Sequence, residues 1–188
     1  MKFSKKVFLI VSLILIVSAL YRVSPLRDYG FAPQLAIALF SGFLFRDNKK
    51  WAFIFPLVSM ILSDVMYEIL YSYNLSDMKG FYGYGQILNY FFFVLVTAIG
   101  FFINKVNLTK ITSAVIAGPT VFYLLSNFSV WLGNGGNQHA KTLTGLSACM
   151  VEGLPFYKNS LIGTAIFSVI FFVSYILMTQ KETQKVNS

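Results

Sequence analysis

The chain has 188 residues, 56% of them hydrophobic and 12% charged, and its mean hydropathy is +0.67. Fifteen basic and seven acidic residues are too few to cover the apolar surface of a soluble domain of this length, so the composition points to a surface immersed in lipid. The formal charge of +8 lies in short Lys/Arg clusters between apolar runs, the pattern of membrane topology determinants, which argues against nucleic acid as a partner.

A bilayer core takes roughly 20 apolar residues per helix. Six runs qualify as candidate spans. The first, 7–21, follows Lys2, Lys5 and Lys6. It reads either as a signal peptide with Val17-Ser18-Ala19 at the cleavage site or as a retained anchor. The anchor is favoured, because a polytopic protein inserts without a cleaved signal. The second run, 31–45, starts with Pro33 in its first turn and ends at Arg46-Asp47-Asn48-Lys49-Lys50. The third, 51–71, contains Pro56 and predicts a kink or a locally satisfied carbonyl. The fourth covers 84–103. The fifth covers 111–132 and is expected to break near Gly118-Pro119. The sixth covers 160–178, and a polar tail, 179–188, follows.

With six spans both termini share a side. Ten of the Lys and Arg residues fall on that side and five on the other (Arg22, Arg27, Lys79, Lys141 and Lys158), which predicts cytoplasmic termini. The outer loops are the longer ones, and they are rich in Gly, Tyr, Asn and Thr. Such loops read as the cover of a site or as plain solvated connections. Residues 133–159 are too many for a plain connection. Their half-apolar middle, 143–156, predicts a short helix at or dipping into the outer boundary, with a structureless loop as the alternative and Pro155 breaking either.

Ionisable residues inside apolar runs are costly and therefore informative. Asp64 and Glu68 are four apart and share one helix face, flanked by Ser63 and Tyr67. Asp64 reads as part of a ligand, cation or proton site, or as a structural hydrogen-bonding group. Glu68, nearer the outer loop, reads as part of the same site or, in preference, as a headgroup-level residue. Asn89 and Asn127 are suited to holding a ligand or to joining helices, and Trp131 to stacking on a ligand or to the aromatic belt. Ala32, Ala36, Ala38 and Gly42 form small-residue spacings that admit a close helix, either within the chain or on a partner membrane protein. Gly135-Gly136 is turn chemistry with no phosphate-loop context. Cys149 is the only cysteine and His139 the only histidine, too few for a metal centre or a disulfide. No GxSxG or HExxH pattern occurs, so neither catalysis nor a cofactor is expected.

Several stretches resemble a known family. They are 31–42, Phe55-Pro56-Leu57 with Leu62-Ser63-Asp64, and Ser126-Asn127-Phe128 with Val130-Trp131-Leu132. Thr144-Gly145-Leu146 with Cys149, Leu154-Pro155-Phe156 and Asn159 to Gly163 complete the set. Together they resemble a family of small bacterial membrane proteins of unknown function that are described as candidate transport proteins. That family is similar to the substrate-binding S components of energy-coupling factor (ECF) vitamin transporters. The resemblance implies an all-α, six-helix fold in the bacterial cytoplasmic (inner) membrane. It implies a small-molecule ligand of the vitamin or corrinoid class under the first, third and fifth loops. It also implies a membrane coupling protein with ATPases. A corrinoid would give Cys149 or His139 a role at cobalt. S components usually carry their docking pattern on the first helix, whereas here it lies on the second. The residues expected to line the ligand site are Asp64, Asn89, Asn127, Trp131, Thr144, Cys149 and Glu152, and those expected to dock a partner are Ala32, Ala36, Ala38 and Gly42. The rival expectations are a scaffold or accessory subunit, with a dry core, and a membrane enzyme, with Asp64, Glu68 and Cys149 converging.

Overall fold

A computed structural model describes residues 5–133 and 139–186. Lys2 and the Gly135-Gly136 turn lie outside the described residues, as do the side chains of Lys5, Lys6, Lys181 and Lys185. The described residues form six helices and no strand: α1 (Lys5–Val23), α2 (Gln34–Leu44), α3 (Lys49–Ser72), α4 (Tyr84–Gly100), α5 (Leu108–Leu132) and α6 (Leu143–Val186).

Two helices show an inverted amphipathic pattern. On α3 the residues Trp51, Ile54, Val58, Ile61, Val65 and Ile69 recur at helical spacing and are exposed, while Ser59, Ser63 and Asp64 are buried. On α6 the exposed row is Ile162, Ile166, Val169, Val173 and Leu177, while Thr164 and Ser168 are buried. Apolar residues outside and polar residues inside are stable only where the outside is itself apolar. Three helices are long and apolar enough to cross a membrane: α3, α5 and the 143–180 part of α6. The chain is a membrane protein by this pattern.

Helix α2 departs from its expected role as a span. Its 11 residues rise about 16 Å, roughly half of a hydrocarbon core of about 30 Å. Every residue from Gln34 to Phe43 is buried, because α2 packs on α3, α4, α5 and α6. A run of apolar residues looks the same in sequence whether lipid or protein surrounds it, and here it is protein.

The small residues of this helix serve that enclosure. A Cβ added to Gly42 would lie 2.2 Å from the Thr97 carbonyl oxygen and 2.8 Å from Gly100 Cα. One added to Gly100 would lie 2.3 Å from the Leu39 carbonyl oxygen, so α2 and α4 cross backbone to backbone. Ala36 and Ala38 are fully buried, and Ala32 abuts Gly163 of α6. The face expected to receive a membrane partner is therefore occupied by the chain's own helices.

Two expected breaks are absent. Helix α5 runs through Gly118-Pro119, and α6 runs through Pro155 as one helix of 44 residues that also takes in most of the expected polar tail. A proline removes one hydrogen bond from a helix and crowds one carbonyl, a local cost that neighbouring helices in a bundle offset. At about 66 Å, α6 is twice as long as a bilayer core requires, so part of it lies beyond the hydrocarbon. At the expected cleavage site of α1, Ser18 and Ala19 are buried in the bundle.

Candidate functional site

Asp64 sits on the inner face of α3 and is 1% exposed. An isolated carboxylate there would be prohibitively costly, and its partners explain why it persists. Arg22, at the end of α1, donates to Asp64 Oδ1 at 2.5 Å and to Ser63 Oγ at 2.5 Å. The other carboxylate oxygen accepts from Gln86 Nε2 at 2.9 Å and from the Tyr90 hydroxyl at 2.6 Å, both on α4. Gln86 Nε2 also donates to the Gly80 carbonyl at 2.9 Å. One buried charge thus ties α1, α3, α4 and the loop between α3 and α4.

The neighbouring groups extend this network outward. The Tyr67 hydroxyl donates to the Arg22 carbonyl at 2.6 Å and accepts from Arg27 Nη2 at 2.8 Å. Arg27 Nε donates to the same carbonyl. Glu68 turns to the outer loop instead, where its Oε2 accepts from the Gly80 and Phe81 amides at 3.1 Å each. Gly80 has to be a glycine, since a Cβ there would lie 1.8 Å from the Asp64 carbonyl oxygen.

Two cavities open beside this network, at the end of the bundle that carries the 24–33 and 73–83 loops. The first, of about 180 Å³, is lined by Arg22, Arg27, Gln34, Asn89, Phe93 and Phe122 among others. The second, of about 170 Å³, lies between α5 and α6 against Phe122, Tyr123, Asn127, Gly153, Tyr157 and Ser160. Phe122 and Ser160 belong to both linings, so the cavities adjoin. The 24–33 loop is strapped across to α6. Asn159 Nδ2 donates to the Tyr29 carbonyl at 2.9 Å, and Ser160 Oγ to the Gly30 carbonyl at 3.1 Å. Gly30 adopts a φ of 84° and packs against the Phe156 backbone, where a Cβ would lie 2.6 Å from the carbonyl oxygen.

The residues expected to line a site divide among several places. Asn89 lines the first cavity and donates to the Tyr82 hydroxyl at 2.5 Å. Burial pushes the Tyr82 hydroxyl above its usual pKa, against the opposing effect of the Asn89 hydrogen bond, so it remains a neutral group at physiological pH. Asn127 lines the second cavity, with its amide packed on Gly153. Cys149 is buried behind it, its thiol donating to the Asn127 carbonyl at 3.4 Å. Asp64 lies behind the first cavity in the ion pair. Trp131 donates to the Ala140 carbonyl at 3.0 Å with Lys141 over its ring, Thr144 is exposed, and Glu152 is exposed and paired with His139 at 3.1 Å. These three line neither cavity. Asp64, Glu68 and Cys149 are each held by different partners.

Sequence reasoning did not single out Arg22, Arg27, Gln34, Gln86, Tyr90, Phe122 or Ser160 for the site. Arg22 and Arg27 entered only the topology count. Gln34 carried a usable signal, being a polar residue inside an apolar run.

The chain belongs to a family of unknown function, DUF6580, whose sequence pattern it matches over residues 2–186. No curated protein and no solved structure matches it.

Proposed function

We propose that this chain is a nutrient-binding membrane protein of the S-component kind. Five of its helices run across a bacterial cytoplasmic membrane, the half-length α2 returns the chain inside the bundle, and both termini lie inside. A compact vitamin-sized ligand enters from the outer side, and a membrane coupling protein with ATPases drives its passage inward. The half-length α2 fits such a bundle because protein encloses it, so it has no hydrocarbon thickness to match.

The observation that carries this reading is the pair of adjoining cavities at the loop end, lined by amides and aromatic rings. Such linings are typical of small-molecule sites, and a scaffold has no need of them. Each cavity is smaller than the about 300–1,000 Å³ usual for a ligand site, and a swing of Phe122 would join them. A corrinoid macrocycle is too large for either, and neither Cys149 nor His139 lines them, so the ligand class narrows to compact molecules. The coupling protein docks elsewhere than on Ala36, Ala38 and Gly42.

The test is a thermal-shift screen of the purified chain against compact vitamins and nucleobase precursors. A ligand at 100 times its Kd stabilises by about 2.7 kcal/mol. The expected result is a shift by one compound that is lost in Asn89→Ala or Asn127→Ala and kept in Trp131→Ala. A flat response to every compound, in detergent and in nanodiscs, would favour the scaffold.

A further inference from the structure

The first cavity has an unusual balance of charge and hydrogen bonding. Among the described residues two arginines line it and no carboxylate does. Arg22 is neutralised from behind by Asp64. Arg27 is not: among the described residues it makes no ion pair, and its partners are the Arg22 and Asp28 carbonyls and the Tyr67 hydroxyl. A guanidinium carries five N–H donors in a plane, so two of Arg27's donors and its whole positive charge remain for another partner.

Gln34 supplies a second, independent observation. It lines the same cavity, is 3% exposed, and its Oε1 has no hydrogen-bond partner among the described residues. Rotating the amide does not cure this, because Nε2 is fixed by its donation to the Ser18 carbonyl at 3.3 Å. A buried acceptor without a donor is destabilising, and natural proteins keep one where water or a ligand supplies the missing hydrogen.

We propose that the first cavity takes a small organic anion that also bears an N–H or O–H group. Arg27 holds the anionic oxygens, Gln34 Oε1 accepts from the ligand's donor, and Phe93 and Phe122 cover its apolar part. This rests on the ligand-binding reading above and names the substrate class. A water-soluble carboxylate or phosphate monoester offers such an oxygen, and so does the phosphate of a lipid headgroup. The shared chemistry is the anion.

The experiment compares charged and neutral partners of nearly equal shape on the full chain in detergent. The pairs are pantothenate with pantothenol and pyridoxal phosphate with pyridoxal. Phosphatidylglycerol against diacylglycerol, which lacks the phosphate, forms the lipid arm. The expected result is a thermal shift by an anionic member that its neutral counterpart lacks. Arg27→Gln should raise the Kd by about ten- to hundred-fold, the loss of a hydrogen bond to a charged group, and Arg27→Lys should recover part of it. Gln34→Met should weaken binding without lowering the Tm of the unliganded protein, which separates a ligand contact from a structural one. Phosphatidylglycerol acting alone would keep the anion site and overturn nutrient binding. Equal shifts by neutral members, abolished in Asn89→Ala and unchanged in Arg27→Gln, would overturn the anion and keep nutrient binding. Silence in both arms would overturn both.

Discussion

Replacing Asp64 by asparagine changes one atom type and leaves the shape of the side chain. The carboxylate accepts from Arg22, Gln86 and Tyr90 at 2.5, 2.9 and 2.6 Å. An asparagine has one acceptor oxygen, so its NH2 must face a donor on one side. Arg22, whose side chain is 16% exposed, is left as a largely buried charge with no counter-ion. Breaking a buried pair in this way costs about 3–5 kcal/mol. At about 2–4 °C per kcal/mol for a chain of this size, the Tm should fall by about 6–20 °C. Removing both charges in Arg22→Met with Asp64→Leu should cost about 1–3 kcal/mol less than the sum of the two single changes. Thermal unfolding of the four proteins in one detergent supplies the cycle. A loss below about 1 kcal/mol for Asp64→Asn, the worth of a surface pair, together with additive singles, would refute the buried network.

Three further outcomes follow from the packing. Gly42→Ala should destabilise by about 1–3 kcal/mol by forcing α2 and α4 apart at Thr97 and Gly100, measured by the same unfolding assay. A wild-type Tm in that variant would mean the crossing is looser than described. Gly80→Ala should lift the 73–83 loop from Asp64 and Glu68, so limited proteolysis should cut that loop faster while the helices stay protected. Ile61→Lys places a charge at the outer middle of α3, where it should oppose membrane insertion by about 2.5–3.5 kcal/mol and lower the membrane-inserted yield. In a water-exposed helix the same change would be harmless.

The helical content was legible because apolar runs between charged clusters leave little else for a chain of this composition to do. Asp64 was legible as a residue that needed an explanation. Its partner was not, since Arg22 lies 42 positions away and no periodicity links them. The short, enclosed α2 was hidden because lipid and protein demand similar residues. Its density of Ala, Ser and Gly was the available clue, and it pointed as readily to an external partner. Pro119 and Pro155 misled because a proline's cost is local and a packed bundle offsets it. Trp131, Thr144 and Glu152 lie near the cavities along the chain but make contacts elsewhere, since helical position, rather than proximity in sequence, decides which side chains face inward.

The enclosure of α2 also dictates an order of events at birth. Of the four helices that wall it in, every one lies later in the chain. The ribosome therefore delivers this segment when, of the helices it touches, only α1 has been made. At about half the thickness of the bilayer core, it is a poor candidate to wait in lipid alone. Until α6 arrives, α2 lacks one of the walls it has in the finished bundle. The enclosure of α2 is complete only when the last helix closes over a segment made long before.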